Sequence, residues 1–374
     1  MVNLIALAIP AFFIGIGIEV WAAKRRGVSV YRLGDSMADM GCGILQQVTT
    51  MLYVPVLALA YGWLYEHARL VTLPVWAGWV LAFIGIDFVY YWWHRLSHEV
   101  NLLWAAHVIH HQSEDYNLAV ALRQSITTSV TYFPFQAVLA LAGVPLIPMA
   151  VAASLSTLYQ FWIHTELVKK LGPLEKVINT PSSHRVHHAI NPKYLDRNHG
   201  ATLILWDRLF GTYQPEEEEC VYGITRPLSS FNSVWAQFDH YWNLLKWTRQ
   251  APNLLEKAKV WLKSPAWKPE WSTDPVFPSL TSRAEQKKYE PQTPPRLRRW
   301  AFVQFVVLIV GTFSLEMFGP SRLSVAQVAL IVPLFYLGLW SVAALIENRP
   351  FAQKLEVARW VTTLAAVPLI AYVS

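Results

Sequence analysis

The sequence predicts an all-α integral membrane protein, a multi-span helical bundle with a helical cap on its cytosolic side. Of its 374 residues, 54% are hydrophobic and only 15% are charged, whereas a soluble domain carries about 25% charged residues. Its 18 Trp and 16 Tyr suit a chain that crosses bilayer interfaces, where both residue types collect. The net charge of +6 is therefore interpreted as loop charge beside membrane spans. No basic stripe with interleaved aromatic residues indicates a nucleic-acid partner.

Six apolar segments have the length of about 20 residues that a transmembrane helix needs. They cover residues 3–23, 44–65, 71–93, 300–318, 324–346 and 357–373. The first has no basic stretch before it and is too long for the apolar part of a signal peptide, so we expect it to be retained as a span.

Residues 126–163 form an apolar stretch too long for one crossing. Gly143, Pro145 and Pro148 interrupt it near its middle, and such residues end helices. We expect two short helices that form a membrane hairpin and that need not cross the bilayer fully.

Basic residues orient the predicted spans. Dense clusters follow the first span at residues 24–26 and precede the fourth at residues 296–299, and Arg349 and Lys354 lie between the last two. Treating 126–163 as a hairpin puts all of these clusters on one side, which the positive-inside rule makes cytoplasmic. Eleven of the twelve histidines, all except His67, then fall at the cytoplasmic face of a bacterial inner membrane or of the endoplasmic reticulum.

Three regions follow from this organisation. Residues 1–93 hold N-terminal transmembrane helices, residues 94–298 a histidine-rich catalytic region with the hairpin and a cytosolic cap, and residues 299–374 the C-terminal transmembrane helices. The polar stretch after the hairpin is expected to form the cap and a loosely structured connector. Its acidic run, Glu216–Glu219, is interpreted as a solvated turn. Cys42 and Cys220 form no metal or redox motif.

The histidines form the most informative pattern. HxxxH at 94–98 and HxxHH at 107–111 and 184–188 each place imidazoles on one helix face, and a further histidine closes the hairpin. The short connection between the first two clusters indicates that one helix ends and another begins at the membrane surface. The predicted metal ligands are His94, His98, His107, His110, His111, His164, His184, His187 and His188.

Nine imidazoles exceed the four ligands of a structural zinc and suit two metal ions of higher coordination number. Imidazole favours iron, copper, nickel or zinc over magnesium or calcium. Two irons with open positions could activate O2, and apolar surroundings would keep water out. One HxxxH alone would be a weak signal, because helical histidines are often surface or core residues, but three clusters in order are not expected from packing.

Other polar residues near the clusters leave alternatives open. Asp87, Glu99 and Asp115 are expected catalytic residues that orient imidazoles or gate protons, because metal-bound imidazoles usually donate their second N–H to a carboxylate or carbonyl; capping or surface roles are the alternative, as they are for Glu114. Arg123 and Gln124 could contact a lipid head group or cap a helix.

The three remaining histidines are less tied to the pattern. His199 could be a ligand or could support one. His240 is expected to be structural or near the mouth of the site, and His67 to have no chemical role.

The ordered clusters resemble the fatty acid hydroxylase/sterol desaturase superfamily, over about residues 30–270. The resemblance rests on "YYWWHRLSHEVNLLWAAHVIHHQSEDYNLAVALRQS", on "HTELVKKLGPLEKVINTPSSHRVHHAINPKYLDRNHGATLILWDRLFGTY", on "VYGITRPLSSF" and on "VYRLGDSMADMGCG". It implies a membrane-bound non-haem di-iron oxygenase whose ligands are the nine histidines above, with Glu99 matching an acidic residue of the members that cleave ether lipids. The Asn-aromatic-Gly of the family stands here as Asn198-His199-Gly200.

The ether-lipid members of this superfamily imply the reaction. They hydroxylate the carbon next to the ether oxygen of an O-alkylglycerol, with tetrahydrobiopterin as reductant, and the product collapses to an aldehyde and glycerol. We therefore expect two iron ions, O2, a membrane lipid substrate and an electron donor, either a pterin or a reductase protein. The alternatives are a sterol or other lipid C–H hydroxylase or desaturase, and a non-redox metal-binding membrane protein.

Overall fold

The computed structural model describes residues 4–275 and 277–373, and their regular structure is helical. The helices are α1 (Leu4–Arg25), α2 (Leu33–Ala68), α3 (Val75–Glu99), α4 (Asn101–His111), α5 (Thr128–Leu141), α6 (Leu146–Trp162), α7 (Pro181–His188), α8 (Leu205–Leu209), α9 (Ser233–Gln250), α10 (Leu254–Leu262), α11 (Pro295–Arg322), α12 (Val325–Ile346) and α13 (Ala352–Tyr372). Two 3₁₀ turns, Val120–Leu122 and Gly172–Lys176, and two isolated β-bridges complete the regular structure of these residues.

Among the described residues, six helices are long and apolar enough to cross a membrane: α1, α2, α3, α11, α12 and α13. They correspond to the six predicted spans. The all-α fold class is confirmed, and the protein is an integral membrane protein. The largest core cluster packs α2 against α11 and α12, around Leu45, Phe305 and Leu339.

α2 begins eleven residues before its predicted apolar segment, at Leu33. Its first turns carry Asp35 and Asp39, both buried. Arg32, just before the helix, pairs with Asp35, and Arg123, from a distant part of the chain, pairs with Asp39, so the polar start of the helix is stabilised by one local and one distant partner. At about 1.5 Å per residue, α2 extends well beyond the thickness of a bilayer and contributes to the cap.

The hairpin consists of two helices, α5 and α6, as expected. Gly143 at the turn has φ +83°, and a Cβ there would lie 2.2 Å from the carbonyl oxygen of Val71, so only glycine fits. Leu70 donates a backbone hydrogen bond to Leu141 (2.8 Å). The hairpin turn therefore lies beside the α2–α3 connection, at the end of these helices away from the histidines.

The cap contains α7, α8, α9 and α10. The connector after α10 has no helix among its described residues up to α11, as expected, but it is held by specific contacts. Lys288 pairs with Asp115 at 2.6 Å, Arg283 pairs with Glu166 at 2.7 Å, and the backbone N–H of Tyr289 donates to Glu114. The connector is therefore packed against the rest of the cap.

Candidate metal centre

Nine buried histidines form two groups whose candidate ligand atoms lie within 4.8 Å of one another inside each group. The first group is His94, His98, His107, His111 and His187, and the second is His110, His164, His184 and His188. The structure thus brings together all nine histidines that the sequence singled out.

Four segments position these side chains. α3 presents His94 and His98 one turn apart, and α4 presents its three histidines after a sharp change of direction at Val100, which is extended (φ −131°, ψ 119°). The start of α4 is held by α10, because Asn101 donates from its side chain to the carbonyl of Val260 (3.0 Å). His164 follows the last turn of α6.

The third histidine cluster occupies the short helix α7. Pro181 stands at its first position and the side chain of Thr180 accepts from the N–H of Ser183, a favourable helix start. This start sets the rotation of α7, which directs His184, His187 and His188 into the two groups.

Main-chain carbonyls fix the orientation of four imidazoles. His94 donates from Nδ1 to the carbonyl oxygen of His199 (2.7 Å), and His110 donates in the same way to that of Arg123 (3.0 Å). His164 donates from Nδ1 to the carbonyl oxygen of Gln160 (2.7 Å), and His187 to that of Arg197 (2.9 Å). A carbonyl oxygen can only accept a hydrogen bond, so Nδ1 carries the proton and Nε2 of the neutral ring carries a lone pair.

These lone pairs face one another. Nε2 of His110 lies 3.1 Å from Nε2 of His164, and both are acceptors by the assignment above. Two lone pairs at this distance repel unless a cation lies within reach of both. In addition, Nε2 of His98, His187 and His188 is buried without a hydrogen-bond partner. The donor set therefore fits metal binding, because neutral imidazole nitrogen is a common ligand of transition metals.

Burial favours the neutral form of seven of these imidazoles. It lowers the pKa of His110 to about 4, and it lowers the pKa of the other ligand candidates outside the spans, with a further contribution from neighbouring imidazoles: His107, His111, His164, His184, His187 and His188. At neutral pH these rings are in the form that binds a metal ion.

Asp87 lies two turns before His94 as expected, but its carboxylate contacts no imidazole. It accepts hydrogen bonds from the backbone N–H of Thr202 (2.8 Å) and Leu203 (3.2 Å) and from the indole of Trp206 (2.8 Å). Thr202 and Leu203 belong to the loop whose His199 carbonyl accepts from His94, and Trp206 lies in α8, which follows that loop. Asp87 therefore holds the loop, and the loop orients the imidazole.

Glu99 and Asp115 are not brought to an imidazole either. The side chain of Glu99 is 44% exposed and pairs with Arg95 one turn earlier (2.9 Å). Asp115 is buried and pairs with Arg32 and Lys288, which come from distant parts of the chain. Glu114, just before it, also accepts from Arg32.

The sequence reasoning missed several residues that support the ligands. Asp196 approaches Nδ1 of His98 at 3.3 Å. Asn198 donates to the carbonyl of Ser183 in α7 (2.9 Å), and Asp207 accepts from the N–H groups of His199 and Gly200. A Cβ at Gly200 would lie 2.4 Å from the Leu203 carbonyl oxygen. The Asn-x-Gly motif was the available signal.

The three remaining histidines take separate places. His199 lies outside both groups, and its contribution is the carbonyl that accepts from His94. Nε2 of His240 lies 3.3 Å from the side-chain oxygen of Asn101, at the wall of a cavity described below. Nδ1 of His67 bonds the carbonyl of Trp63, away from the centre.

Arg123 is 1% exposed and faces no lipid. Its guanidinium donates to the carbonyl of Ile109 (2.6 Å), to Asp39 (3.1 Å) and to Gln112 (2.9 Å). These bonds tie α2 to the end of α4 and hold the Arg123 carbonyl that orients His110. Of the two roles left open for Arg123, a head-group contact is therefore not supported, and a contact with the end of α4 is observed.

Two cavities, each of about 360 Å³, reach the histidines from different sides. The first, here called the membrane cavity, lies between α1, α2, α5, α6 and α11 and reaches His107, His110 and His164. Among the described residues its lining contains no Asp, Glu, Lys or Arg, and Gln124 is part of it. The second, the cap cavity, is bordered by α4 and α9 and reaches His98, His111, His187 and His188.

The chain is similar to known membrane enzymes. The family model described as fatty acid hydroxylase matches residues 79–212, which include the nine histidines. The alkylglycerol monooxygenase of Homo sapiens is 37% identical over 336 residues, covering 88% of this chain and 74% of that protein. The alkylglycerol monooxygenase of Xenopus tropicalis is 37% identical over 362 residues, covering 93% and 78%.

A shorter similarity involves the ornithine lipid hydroxylase OlsE of Rhizobium tropici. It is 30% identical over 149 residues, which cover 39% of this chain and 45% of OlsE. No solved structure matches the chain.

Proposed function

The chain belongs to the fatty acid hydroxylase family and is a membrane monooxygenase similar to the alkylglycerol monooxygenases, and we propose that it is a di-iron enzyme that cleaves the O-alkyl bond of glycerol ether lipids. The division of the histidines into groups of five and four supports two metal ions. Four of them bond main-chain carbonyls through Nδ1, and the Nε2 lone pairs of His110 and His164 face each other. This observation carries the proposal, because facing lone pairs are stabilised by a cation between them.

The proposed reaction consumes one O2, two electrons and two protons. The methylene next to the ether oxygen becomes a hemiacetal carbon and the second oxygen atom leaves as water. The hemiacetal then collapses to a fatty aldehyde and glycerol. The irons, held by the nine histidines, would supply the activation of O2, and the protein supplies the neutral ligands, the lipid site and the exclusion of water.

The membrane cavity is the proposed lipid site. Ile5, Ile9 and Phe12 of α1 give it an apolar wall, and Gln136 and Gln160 add neutral hydrogen-bonding groups. A lipid from the bilayer can bury its alkyl chain there and reach the imidazoles without crossing water. We place the catalytic centre in the region 94–298, on the cytoplasmic side, and helices from the N-terminal and C-terminal regions complete the lipid site.

The predicted carboxylates keep supporting roles in this proposal. Asp87 positions His94 through the loop it holds, and Asp115 holds the segment after α4 by its pairs with Arg32 and Lys288. Glu99 holds Arg95, whose guanidinium also donates to Tyr91. The reductant is proposed to be tetrahydrobiopterin, from the resemblance of the chain to ether-lipid enzymes, with a reductase protein as the alternative.

One observation favours a second function, hydroxylation of a lipid that stays intact. The similarity to the ornithine lipid hydroxylase spans 149 residues, so the same centre could serve another lipid. Product analysis separates the two functions, because ether cleavage releases a fatty aldehyde and hydroxylation or desaturation does not.

The test is metal analysis of the purified protein together with mass spectrometry of lipids before and after incubation with O2, a reductant and an alkylglycerol. The proposal expects iron and a fatty aldehyde. Exchangeable zinc or nickel with no oxygen consumption on any lipid would instead indicate a non-redox metal-binding protein.

A further inference from the structure

The cap cavity gives the centre a second approach that does not pass through the membrane cavity. It reaches four imidazoles that the membrane cavity does not line, those of His98, His111, His187 and His188. A lipid held in the membrane cavity would leave this approach free for a second reactant. Its volume of about 360 Å³ lies in the usual range for small-molecule sites and is far too small for a protein.

The walls of the cap cavity suit a flat aromatic molecule. Trp104, Trp247 and Trp267 contribute indoles. The Trp104 ring lies 4.9 Å from the His98 ring and 5.4 Å from the His111 ring, measured between centroids. A heteroaromatic ring stacked on an indole gains both burial and favourable ring geometry, and on Trp104 it would lie beside the imidazoles.

A carboxylate in the cap cavity has an available acceptor. Oδ2 of Asp239 accepts from Asn243 (3.2 Å), while Oδ1 faces Arg226 at 3.9 Å, too far for a hydrogen bond. Burial raises the pKa of Asp239, so its ionised form would gain from additional donors. Asp239 lies within α9, a helix of 18 residues, which holds its carboxylate at the cavity wall.

We propose that the cap cavity binds the tetrahydropterin reductant, with Asp239 accepting from the pyrimidine edge of the pterin and the indole of Trp104 or Trp247 stacking on its ring. This inference rests on the proposed function. The 2-amino-4-oxo-pyrimidine ring presents two adjacent N–H donors, which match a carboxylate in the way that an arginine side chain does. On oxidation the tetrahydropterin gives two electrons and two protons and becomes a dihydropterin. These are the two electrons and two protons that the proposed hydroxylation consumes.

The experiment measures binding apart from turnover. Iron-loaded protein in lipid nanodiscs is dialysed to equilibrium against tetrahydrobiopterin without O2, for the natural chain and for Asp239→Asn and Glu256→Gln. Glu256 is the matched control, since it is a cap carboxylate on α10 that pairs with Lys259 and does not line the cavity. We expect Asp239→Asn to raise the Kd for tetrahydrobiopterin about tenfold, because a charge-assisted hydrogen bond is lost. Glu256→Gln should leave this Kd unchanged.

A second measurement excludes a general structural effect. With dithionite as the electron source and no pterin, a single turnover of alkylglycerol should give the same aldehyde yield and iron content in Asp239→Asn as in the natural chain. Unchanged pterin affinity in Asp239→Asn would overturn the inference. It would also be overturned if Asp239→Asn weakened the binding of alkylglycerol and not that of the pterin. Absence of iron, or of aldehyde with dithionite, would instead contradict the proposed function.

Discussion

At the scale of single residues, the centre depends on which nitrogen of each ring carries the proton. His94, His110, His164 and His187 each donate Nδ1–H to a main-chain carbonyl. Every ring of this set therefore directs a lone pair inward. The carbonyls belong to loops and helix ends, so changes in those loops should reach the metal through ring orientation.

Removing one ligand tests the assignment directly. His110→Ala takes one nitrogen from the second group of four, so we expect lower iron content and no detectable aldehyde formation. Iron per chain and aldehyde yield are the measurements. His67→Ala is the matched control, since His67 bonds the carbonyl of Trp63 away from the centre and lies outside both groups. Full activity of His110→Ala would contradict the assignment.

Asp87→Asn tests orientation through a loop. The amide retains one acceptor and sets an N–H group against the donors of Thr202, Leu203 and Trp206, so the loop should shift and His94 should lose its carbonyl partner. We expect iron affinity to fall by about 10- to 100-fold, the usual effect of losing a group that orients a ligand. Iron titration measures this. Glu217→Gln, which changes an exposed ion pair with Lys193, should have no effect, and equal effects of both changes would contradict the role of Asp87.

The stability of the metal-free protein should depend on pH. Burial lowers the pKa of His110 to about 4 in the folded chain, whereas an unfolded histidine has a pKa of about 6.5. Between these values the unfolded state binds more protons, so the free energy of unfolding falls as the pH falls through this window. Thermal unfolding at pH about 7.5 and about 5 measures the difference. The same melting temperature at both values would contradict neutral buried imidazoles.

At the scale of helices, local patterns predicted much of the arrangement and distant partners determined the rest. The break between α3 and α4 and the hairpin at Gly143 follow from spacing and from residues that end helices. The start of α2 at Leu33 does not, because it depends on Arg123 pairing with Asp39. The contacts of Asp87 and Asp115 could not be predicted for the same reason, since their partners lie far along the chain.

The hairpin turn provides a test at this scale. Gly143→Ala places a Cβ at φ +83° and 2.2 Å from the Val71 carbonyl oxygen, so we expect destabilisation of about 1–3 kcal/mol. Gly17→Ala in α1 is the control, because nothing lies within 4 Å of its Cβ position. Thermal unfolding in detergent compares the two variants. Equal stability would mean that the turn does not pack against the α2–α3 connection.

At the scale of the whole molecule, the centre lies where the spans meet the cap, with one cavity on each side. Spans and histidine clusters are visible in the sequence because hydrophobicity and helical spacing are local properties. The cavities are not, since each is enclosed by helices from distant parts of the chain. The membrane cavity, for example, is lined by both Phe12 of α1 and Thr312 of α11.

Filling the membrane cavity should reduce lipid turnover without loss of metal. Ser156→Phe on α6 directs a ring into this cavity, so we expect a higher KM for the alkylglycerol at unchanged iron content. The neighbouring change Leu155→Phe is the control, because Leu155 is exposed and outside the lining. Steady-state aldehyde formation compares them. Similar kinetic constants for both variants would argue against lipid entry through the membrane cavity.

The most direct test of the account is iron X-ray absorption spectroscopy on the purified protein, combined with its iron count. The account predicts two irons per chain, each surrounded mainly by imidazole nitrogen, with the signal of one group altered in His164→Ala. A single iron, no iron, or a coordination sphere dominated by oxygen or sulfur would contradict it.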